Sequence, residues 1–331
     1  TIMFLSSENA PVLKIKSGQI VEIDTLCLFG MTNEKPEQFF IDNGIPLDSP
    51  VTKEMLALKK WVMAAPATGT VMTGPIYIEG AMPGDTLEVR ILDIKSRTDF
   101  GINQNGPGRG GIPELVPRPY SKVIKMDLER NVAKFSDDIE VPLHPFQGLL
   151  VVMPPKERGK LPSNPPYPYL GSNMDNKHLG KGATVYFPVH VPGDLFSTGD
   201  TQAVQGNGEV GQSALESSNT VTLQFILRKD MPIKFVEAEI PTHYIIMGMN
   251  IDLDIAMHDA IANTVDFLQQ RKGLDFFDSL ALCSIAVDYE VTEVVDGTKA
   301  IHGMVPKSIF KKKGTAYWYQ GSLEPAYTVS K

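Results

Sequence analysis

The sequence predicts a β-rich α+β fold: an antiparallel β-sandwich of the jelly-roll kind, with a helical hairpin late in the chain. Three observations support this prediction. Most segments alternate apolar and polar residues with a period of two, which places one set of side chains on each face of a sheet. Turn residues separate these segments at short intervals. A sustained 3.6-residue period, typical of an amphipathic helix, occurs only late in the chain.

The first part of the chain contains short strands joined by tight turns. Residues 12–16 and 20–23 flank a Ser-Gly pair and are predicted to be two strands. Residues 76–79 and 87–91 alternate on either side of a Pro-Gly-Asp turn and predict two more. The polar stretch between these pairs holds a predicted helix around residues 50–61.

The middle of the chain is rich in glycine and proline. Residues 101–111 contain five glycines and are predicted to form a flexible loop. Strands are expected at residues 122–126 and 148–153. Six prolines between residues 154 and 168 exclude a helix or a central strand. That segment is predicted to be an extended, ordered loop, with a linker as the alternative.

The last part of the chain combines strands with a helical hairpin. Residues 220–227 alternate as a strand. Apolar residues recur at helical spacing over residues 253–268, and Gly273 follows where a C-terminal cap is expected. A shorter helix is predicted at residues 276–286, and a strand at residues 287–291.

Composition excludes several classes of partner. The 331-residue chain has a formal net charge of -8, and it lacks the clustered Lys and Arg that nucleic-acid binding needs. No apolar run reaches the roughly 18 residues of a membrane span. Two cysteines do not make a disulfide framework, and the N-terminal residues do not read as a secretory signal. We therefore expect a cytoplasmic protein that binds neither nucleic acid nor a membrane.

The chemistry of the chain is concentrated in residues 171–209. Carboxylates and amides alternate there with glycines, which allow close backbone approach to a ligand. Carboxylates act as bases or metal ligands, and amides stabilise an oxyanion. The candidate site residues are Asn173, Asp175, Asp200, Gln202, Gln205, Asn207 and Glu209.

Spacing alone does not bring these residues together. If residues 200–209 formed one strand, Asp200 and Gln202 would face one side, and Gln205, Asn207 and Glu209 the other. A bend at one of the intervening glycines is needed to bring Asp200 close to Glu209. A polar surface loop with Asx-turns is the alternative interpretation.

Several motifs, in order, carry a family resemblance. They are GPIYIEGAMPGDTLEV (74–89), PFQG (145–148), GSNMDNK (171–177), YFPVHVPGDLFSTGD (186–200) and QGNGEV (205–210). With these motifs the chain resembles the acetamidase/formamidase family over most of its length. The resemblance implies a cytoplasmic amidohydrolase that converts a small linear amide to a carboxylate and ammonia.

The resemblance carries further expectations. Some relatives are reported to act on lactams and to hold zinc, and the resemblance implies a homodimer or a larger assembly. It implies one domain over residues 1–331, with sub-domains of about 1–150 and 151–331 as an alternative.

The chain departs from the family pattern at two positions. The family usually reads G-D-x-H-A-x-Q-G-D-G-E, and here Gln202 and Asn207 replace the histidine and the second aspartate. Histidine is a common base and zinc ligand, and glutamine is neither. The alternative function is therefore a divergent relative that binds a small molecule without cleaving it.

Two mechanisms stay open at this level. In one, Asp200 and Glu209, with Asp175 or His190 as a third ligand, hold a divalent metal, for which these oxygen donors favour Mg or Ca over the family's zinc. In the other, Glu209 or Asp175 is the general base and Asn173 an oxyanion donor. Gln202, Gln205 and Asn207 are assigned to substrate binding in both.

Overall fold

The computed structural model of the chain describes residues 1–31, 35–64, 69–311 and 316–321. Within these residues, strands predominate over helices and form two large sheets and one small sheet. The β-rich α+β class that the sequence predicts is confirmed.

The strands follow one another along the chain with few helical interruptions. They are β1 (Phe4–Leu5), β2 (Leu13–Ile15), β3 (Ile20–Asp24), β4 (Met72–Ile78), β5 (Thr86–Ser96), β6 (Phe100–Asn105), β7 (Tyr120–Asp127), β8 (Val132–Ser136), β9 (Ile139–Pro142), β10 (Phe146–Val151), β11 (Leu161–Pro162), β12 (Gly171–Asn173), β13 (Thr184–Pro188), β14 (Phe196–Val204), β15 (Leu215–Glu216), β16 (Asn219–Arg228), β17 (Glu237–Glu239), β18 (His243–Asn250), β19 (Asp288–Glu293) and β20 (Lys299–Pro306).

Each large sheet is built mainly from antiparallel pairs. The ten-stranded sheet has the order β12-β10-β14-β15-β6-β7-β8-β9, with β4 also paired to β14 and β2 paired to β4. The pair β2–β4 is parallel, which is a local departure from the antiparallel prediction. The eight-stranded sheet has the order β19-β20-β18-β17-β13-β5-β16-β3. The small sheet pairs β1 with β11. Of these two strands, β11 lies in the proline-rich segment.

The two large sheets pack face to face. One buried cluster contains Val151 and Phe196 from the ten-stranded sheet and Val89, Phe187 and Phe225 from the eight-stranded sheet. The ring of Phe196 lies edge-on to Phe187 and Phe225, with centroids 6.0 and 5.1 Å away. Burial of these large apolar side chains between the layers is the main stabilising contribution expected for a sandwich.

Four α-helices occur in the described residues. They are α1 (Pro36–Asp42), α2 (Pro50–Ala64), α3 (Leu253–Lys272) and α4 (Phe276–Ala286). The side chain of Asp252 caps α3 by accepting from the backbone N–H of Asp254 and Ile255, and Gly273 ends it with φ of 70°. The predicted hairpin and its glycine cap are therefore confirmed. None of the helices described here is both long and apolar enough to cross a membrane.

One local prediction is wrong. Residues 101–111 are not a loop throughout, because β6 covers Phe100–Asn105. Gly101 belongs to this strand, and a Cβ built on it would lie 2.7 Å from Leu215 Cγ and 2.8 Å from the carbonyl oxygen of Glu216. The glycine thus permits close packing against a neighbouring strand.

Both large sheets combine strands from before and after residue 150. Strand β5 pairs with β13 and β16, and β10 pairs with β14. The division into one domain or two sub-domains at about residue 150 stays a prediction.

Candidate active site

Strand β10 holds the two parts of the glycine-rich segment side by side. β12 and β14 flank it, so that Asn173 and Gly199 both pair with Leu149. The flanking strands run in the same direction, and Asp175 and Asp200 therefore both reach the level of Gly148 in β10. The backbone N–H of Asp175 donates to the carbonyl oxygen of Gly148 at 3.2 Å.

Gly148 leaves the space that these side chains occupy. A Cβ at this position would lie 2.4 Å from Oδ1 of Asp175 and 3.1 Å from the side-chain amide of Gln202. It would also lie 2.8 Å from the carbonyl oxygen of Asp200. The PFQG motif thus places a glycine where a side chain would displace the site.

Three candidate acids have backbones in the left-handed region. The φ angles are 42° for Asp175, 46° for Asp200 and 43° for Glu209. Residues other than glycine rarely adopt this conformation, and they cluster at functional sites where the surrounding structure holds them. Strand β14 ends at Val204, so residues 200–209 do not form one strand, and Asp200 and Glu209 line the same cavity.

That cavity has a volume of about 220 Å³. Asn173, Asp200 and Glu209 line it, as the sequence predicts for a common site. Asp175 and Gln202 are buried behind this lining, with 1% and 0% of their surface exposed. The other polar or ionisable lining residues are Cys27, Lys59, Thr70, Asn164, Gln212, Glu216 and Asp296.

Asn173 links two carboxyl groups. Its Nδ2 donates to Oδ2 of Asp175 at 2.7 Å and to Oδ2 of Asp296 at 2.5 Å. Both amide hydrogens are therefore used within the site. Its Oδ1 atom is buried and has no hydrogen-bond partner among the described residues.

Gln202 lies between Asp175 and Glu216. With its amide nitrogen directed at Glu216, it donates to Oε2 at 2.8 Å and to Oε1 at 3.2 Å. The opposite orientation gives a single contact of 3.4 Å to Oδ1 of Asp175. The first orientation is favoured because it makes more and shorter hydrogen bonds. The amide oxygen then faces Asp175, which is favourable when that carboxyl group is protonated.

Burial raises the pKa of every acid in the site. It raises the pKa of Asp175 and Glu209 well above their usual values, and the neighbouring carboxylates add to the effect. The pKa of Glu216 is raised in the same way, by burial and by Asp200. Burial and Asp296 raise the pKa of Asp200 to about 7. Near neutral pH the cluster therefore holds protons or requires a cation.

Among the described residues, one basic side chain lines the cavity. Nζ of Lys59, in α2, donates to the carbonyl oxygen of Met31 at 2.9 Å, and its exposed fraction is 7%. Burial lowers the pKa of this amine. The thiol of Cys27 donates to Oε2 of Glu216 at 3.3 Å, and burial with the nearby carboxylates raises the pKa of the thiol. Cys27 is thus held as a thiol rather than as a reactive thiolate.

Three predicted site residues point elsewhere. Gln205 donates to the backbone carbonyl of Asp175 at 2.7 Å, so it holds the loop that carries this acid. Asn207 donates to Glu290, away from the 220 Å³ cavity. His190 contacts the carbonyl oxygen of Tyr169 at 2.8 Å, and it is absent from the groups of side chains that could share a metal ion in the described residues.

Sequence reasoning missed Lys59, Glu216 and Asp296. Glu216 ends the Ala-Leu-Glu stretch at residues 214–216, which fits the family pattern, but its sequence alone does not indicate a role. Asp296 precedes Gly297 in a turn, a common arrangement without functional meaning. Lys59 lies on a helix where a solvated lysine is the ordinary case. Their convergence on one cavity is a tertiary feature.

Comparisons with known proteins agree with this architecture. The sequence pattern of the Acetamidase/Formamidase family matches residues 65–160 and 163–312. The chain is 24% identical over 316 residues to a formamidase of Methylophilus methylotrophus, covering 72% of this chain and 77% of that protein. It is 25% identical over 214 residues to a predicted formamidase of Schizosaccharomyces pombe, covering 48% of this chain. The chain spans about half of the S. pombe protein, 52% of its length.

A solved structure shares the fold. It is that of a recombinant predicted acetamidase/formamidase from the thermophile Thermoanaerobacter tengcongensis, with a TM-score of 0.79 and 28% identity. The similarity covers 93% of each chain.

Proposed function

The chain belongs to the acetamidase/formamidase family, and from this premise we propose that it hydrolyses the C–N bond of a small linear amide to a carboxylate and ammonia. The observation that carries the proposal is the pair Asp200 and Glu209, which face one cavity of about 220 Å³. A cavity of this size suits an amide such as formamide or acetamide. The formamidase names of the relatives support this substrate class.

In the proposed mechanism, two carboxyl groups transfer protons. One carboxylate takes a proton from a water molecule, whose oxygen attacks the carbonyl carbon of the amide. A protonated carboxyl group then gives its proton to the nitrogen, and the C–N bond breaks. Asp200 is suited to exchange protons near neutral pH because its pKa is raised to about 7. Glu209 is the partner acid in the same cavity.

The oxyanion requires a donor, and we assign this role to Lys59. Asn173 was the sequence-based candidate, but both of its amide hydrogens are used by Asp175 and Asp296. Lys59 has three hydrogens and donates one to Met31. A cationic donor in a site of low dielectric stabilises developing negative charge. Asn173 then positions the acids.

The donor set also fits a hard divalent cation. Asp175, Glu209 and Asp296 each offer a carboxylate oxygen, and these atoms lie within 4.8 Å of one another. The unpartnered Oδ1 of Asn173 adds a neutral oxygen nearby. An all-oxygen set favours Mg²⁺ or Ca²⁺ over zinc. Such an ion would polarise the carbonyl group of the amide. Asp200 belongs to a different group, with Cys27 and Glu216.

Ammonia release from formamide and acetamide tests the proposed function. We expect release by the wild-type chain and its loss in Asp200→Asn and in Glu209→Gln. Asp137→Asn, which changes an exposed acid outside the site, is the matched control and should retain full activity. A folded wild-type chain that binds acetamide but releases no ammonia would instead support the alternative, a binding protein on this fold.

We propose a homo-oligomer in a reducing compartment such as the cytoplasm. Helix α4 exposes Phe276, Phe277 and Ile285, with 51%, 79% and 80% of their surfaces accessible. An apolar surface of this kind is typical of an interface between subunits. Both cysteines are free and buried, which agrees with a reducing compartment. Sedimentation of the wild-type chain and of Phe277→Ser tests the assembly.

A further inference from the structure

A second cluster of ionisable side chains lies apart from the residues that line the 220 Å³ cavity. Glu290 in β19 and His302 in β20 are directly opposite each other in the antiparallel register. His178, from the loop between β12 and β13, packs edge-on against His302 with ring centroids 5.2 Å apart. One ring nitrogen of each histidine and one oxygen of Glu290 all lie within 4.8 Å of one another.

Both histidines present an unsatisfied nitrogen. The Nε2 atoms of His178 and His302 are buried and have no hydrogen-bond partner among the described residues. Nε2 of His302 lies 3.7 Å from Oε2 of Glu290, too far for a hydrogen bond. Buried polar atoms are normally paired, and two unpaired imidazole nitrogens at one point indicate a missing partner.

Both imidazole rings are neutral near pH 7, which is the state in which histidine binds a metal ion. Burial, with a smaller contribution from Lys177, lowers the pKa of His178 to about 4. Burial also lowers the pKa of His302 to about 3. Nδ1 of His302 lies 2.7 Å from Oγ1 of Thr292, and donation through this contact leaves the Nε2 lone pair free. Such a second hydrogen bond on a ligating histidine fixes its tautomer and orientation.

A hydrogen bond also orients the carboxylate of Glu290. Asn207 donates to Oε2 of Glu290 through its side-chain amide. The Glu290 side chain is 39% exposed, which gives an ion a route from solvent and a position for water. Two ligand atoms that each lie about 2.0–2.1 Å from a tetrahedral ion are about 3.3 Å from each other. Nε2 of His302 and Oε2 of Glu290 are 3.7 Å apart, so they need to approach each other only slightly to share an ion.

We propose that His178, Glu290 and His302 form a binding site for one divalent transition-metal cation of the zinc class. Two neutral imidazoles and one carboxylate are a donor set for such ions, in contrast to the all-oxygen set of Asp175, Glu209 and Asp296. Asn207 orients the carboxylate ligand. This site is independent of the proposed amide hydrolysis, since none of its three ligands lines the 220 Å³ cavity.

Titration of the metal-free 331-residue chain with Zn²⁺ and Co²⁺ tests the site. We expect one equivalent to bind at this nitrogen-containing site, where Co²⁺ should give the visible absorption of a four- or five-coordinate complex. His178→Gln and Glu290→Gln should each weaken binding at least tenfold and remove this absorption. Both positions are partly exposed, and circular dichroism verifies that the variants fold.

Two matched controls separate this site from other ligands. His258→Gln removes an exposed histidine on α3, and Glu209→Gln removes an acid of the cavity. Neither should change the Co²⁺ absorption. Wild-type binding no tighter than that of His178→Gln, or absorption lost only in Glu209→Gln, would overturn the proposal. Because the readout is metal binding, an inactive amidase would leave this result unaffected.

Discussion

The side-chain amide of Asn173 donates to Oδ2 of Asp296 at 2.5 Å, across 123 residues of sequence. The contact joins the glycine-rich segment to the turn between β19 and β20. The same amide nitrogen donates to Asp175. Asn173 therefore holds two carboxyl groups that would otherwise repel each other, and the site depends on its donor hydrogens.

Replacement of Asn173 by leucine tests this dependence. The variant keeps a similar volume but leaves Asp175 and Asp296 without their shared donor. Because hydrogen bonds to charged groups contribute about 1.5–3 kcal/mol, we expect a loss of about 2 kcal/mol in the free energy of unfolding. Urea denaturation measures it. Asn164→Leu changes an exposed amide at the same cavity, and an equal loss there would contradict the assignment.

Gly148→Ala is expected to damage the site without changing any polar group. The added Cβ would contact Oδ1 of Asp175, so the carboxyl group and Gln202 must move. We expect a cost of about 1–3 kcal/mol in stability, as for other overpacked cores. Ammonia release should also fall. Gly106→Ala is the control, since its nearest contact would be an ordinary 3.8 Å. Full activity of Gly148→Ala would show that the acids tolerate displacement.

Lys59→Met tests the proposed oxyanion donor. The variant keeps the aliphatic stem and removes the ammonium group. Loss of one oxyanion donor typically lowers kcat by about 10²–10³-fold, and we expect a decrease in this range. Steady-state kinetics with formamide measures it. Lys60→Met removes the neighbouring exposed lysine and should leave kcat unchanged. A change confined to KM would argue that Lys59 only binds the amide.

Asp194 should make stability depend on pH. It is fully buried, and neither carboxylate oxygen has a hydrogen-bond partner in the part of the chain that the structure describes. Burial raises its pKa well above the usual value, so the folded state binds the proton more tightly than the unfolded state. The stability from this group is complete below about pH 3.9 and falls as pH rises towards the folded pKa.

Asp194→Asn removes this dependence and tests it. Asparagine tolerates the positive φ of 58° at this position. We expect the variant to be more stable than the wild type at pH 8, with a smaller advantage at pH 5. Denaturation curves across this range give the difference in free energy of unfolding. Asp137→Asn is the exposed control, and an advantage for Asp194→Asn that grows on acidification would contradict the argument.

Local patterns predicted three of the four α-helices in the described residues, but fewer than half of the strands. The helix predicted at residues 276–286 matches α4, and Gly273 ends α3 as its conformational freedom suggests. The segment at 101–111 was predicted wrongly as a loop, because its glycine content concealed β6. Leu215 lies so close to residue 101 that only glycine fits there. The local sequence does not show this contact.

The sequence by itself determined the β-rich class, the helical hairpin and the segment that carries Asn173, Asp200 and Glu209. These depend on periodicity, turn chemistry and order along the chain, which are local properties. Only the tertiary structure decided that Lys59, Glu216 and Asp296 complete the cavity, and that Asn207 turns towards Glu290. Strand pairing and the burial of charge are long-range interactions, and they bring together residues whose individual surroundings in the sequence are unremarkable.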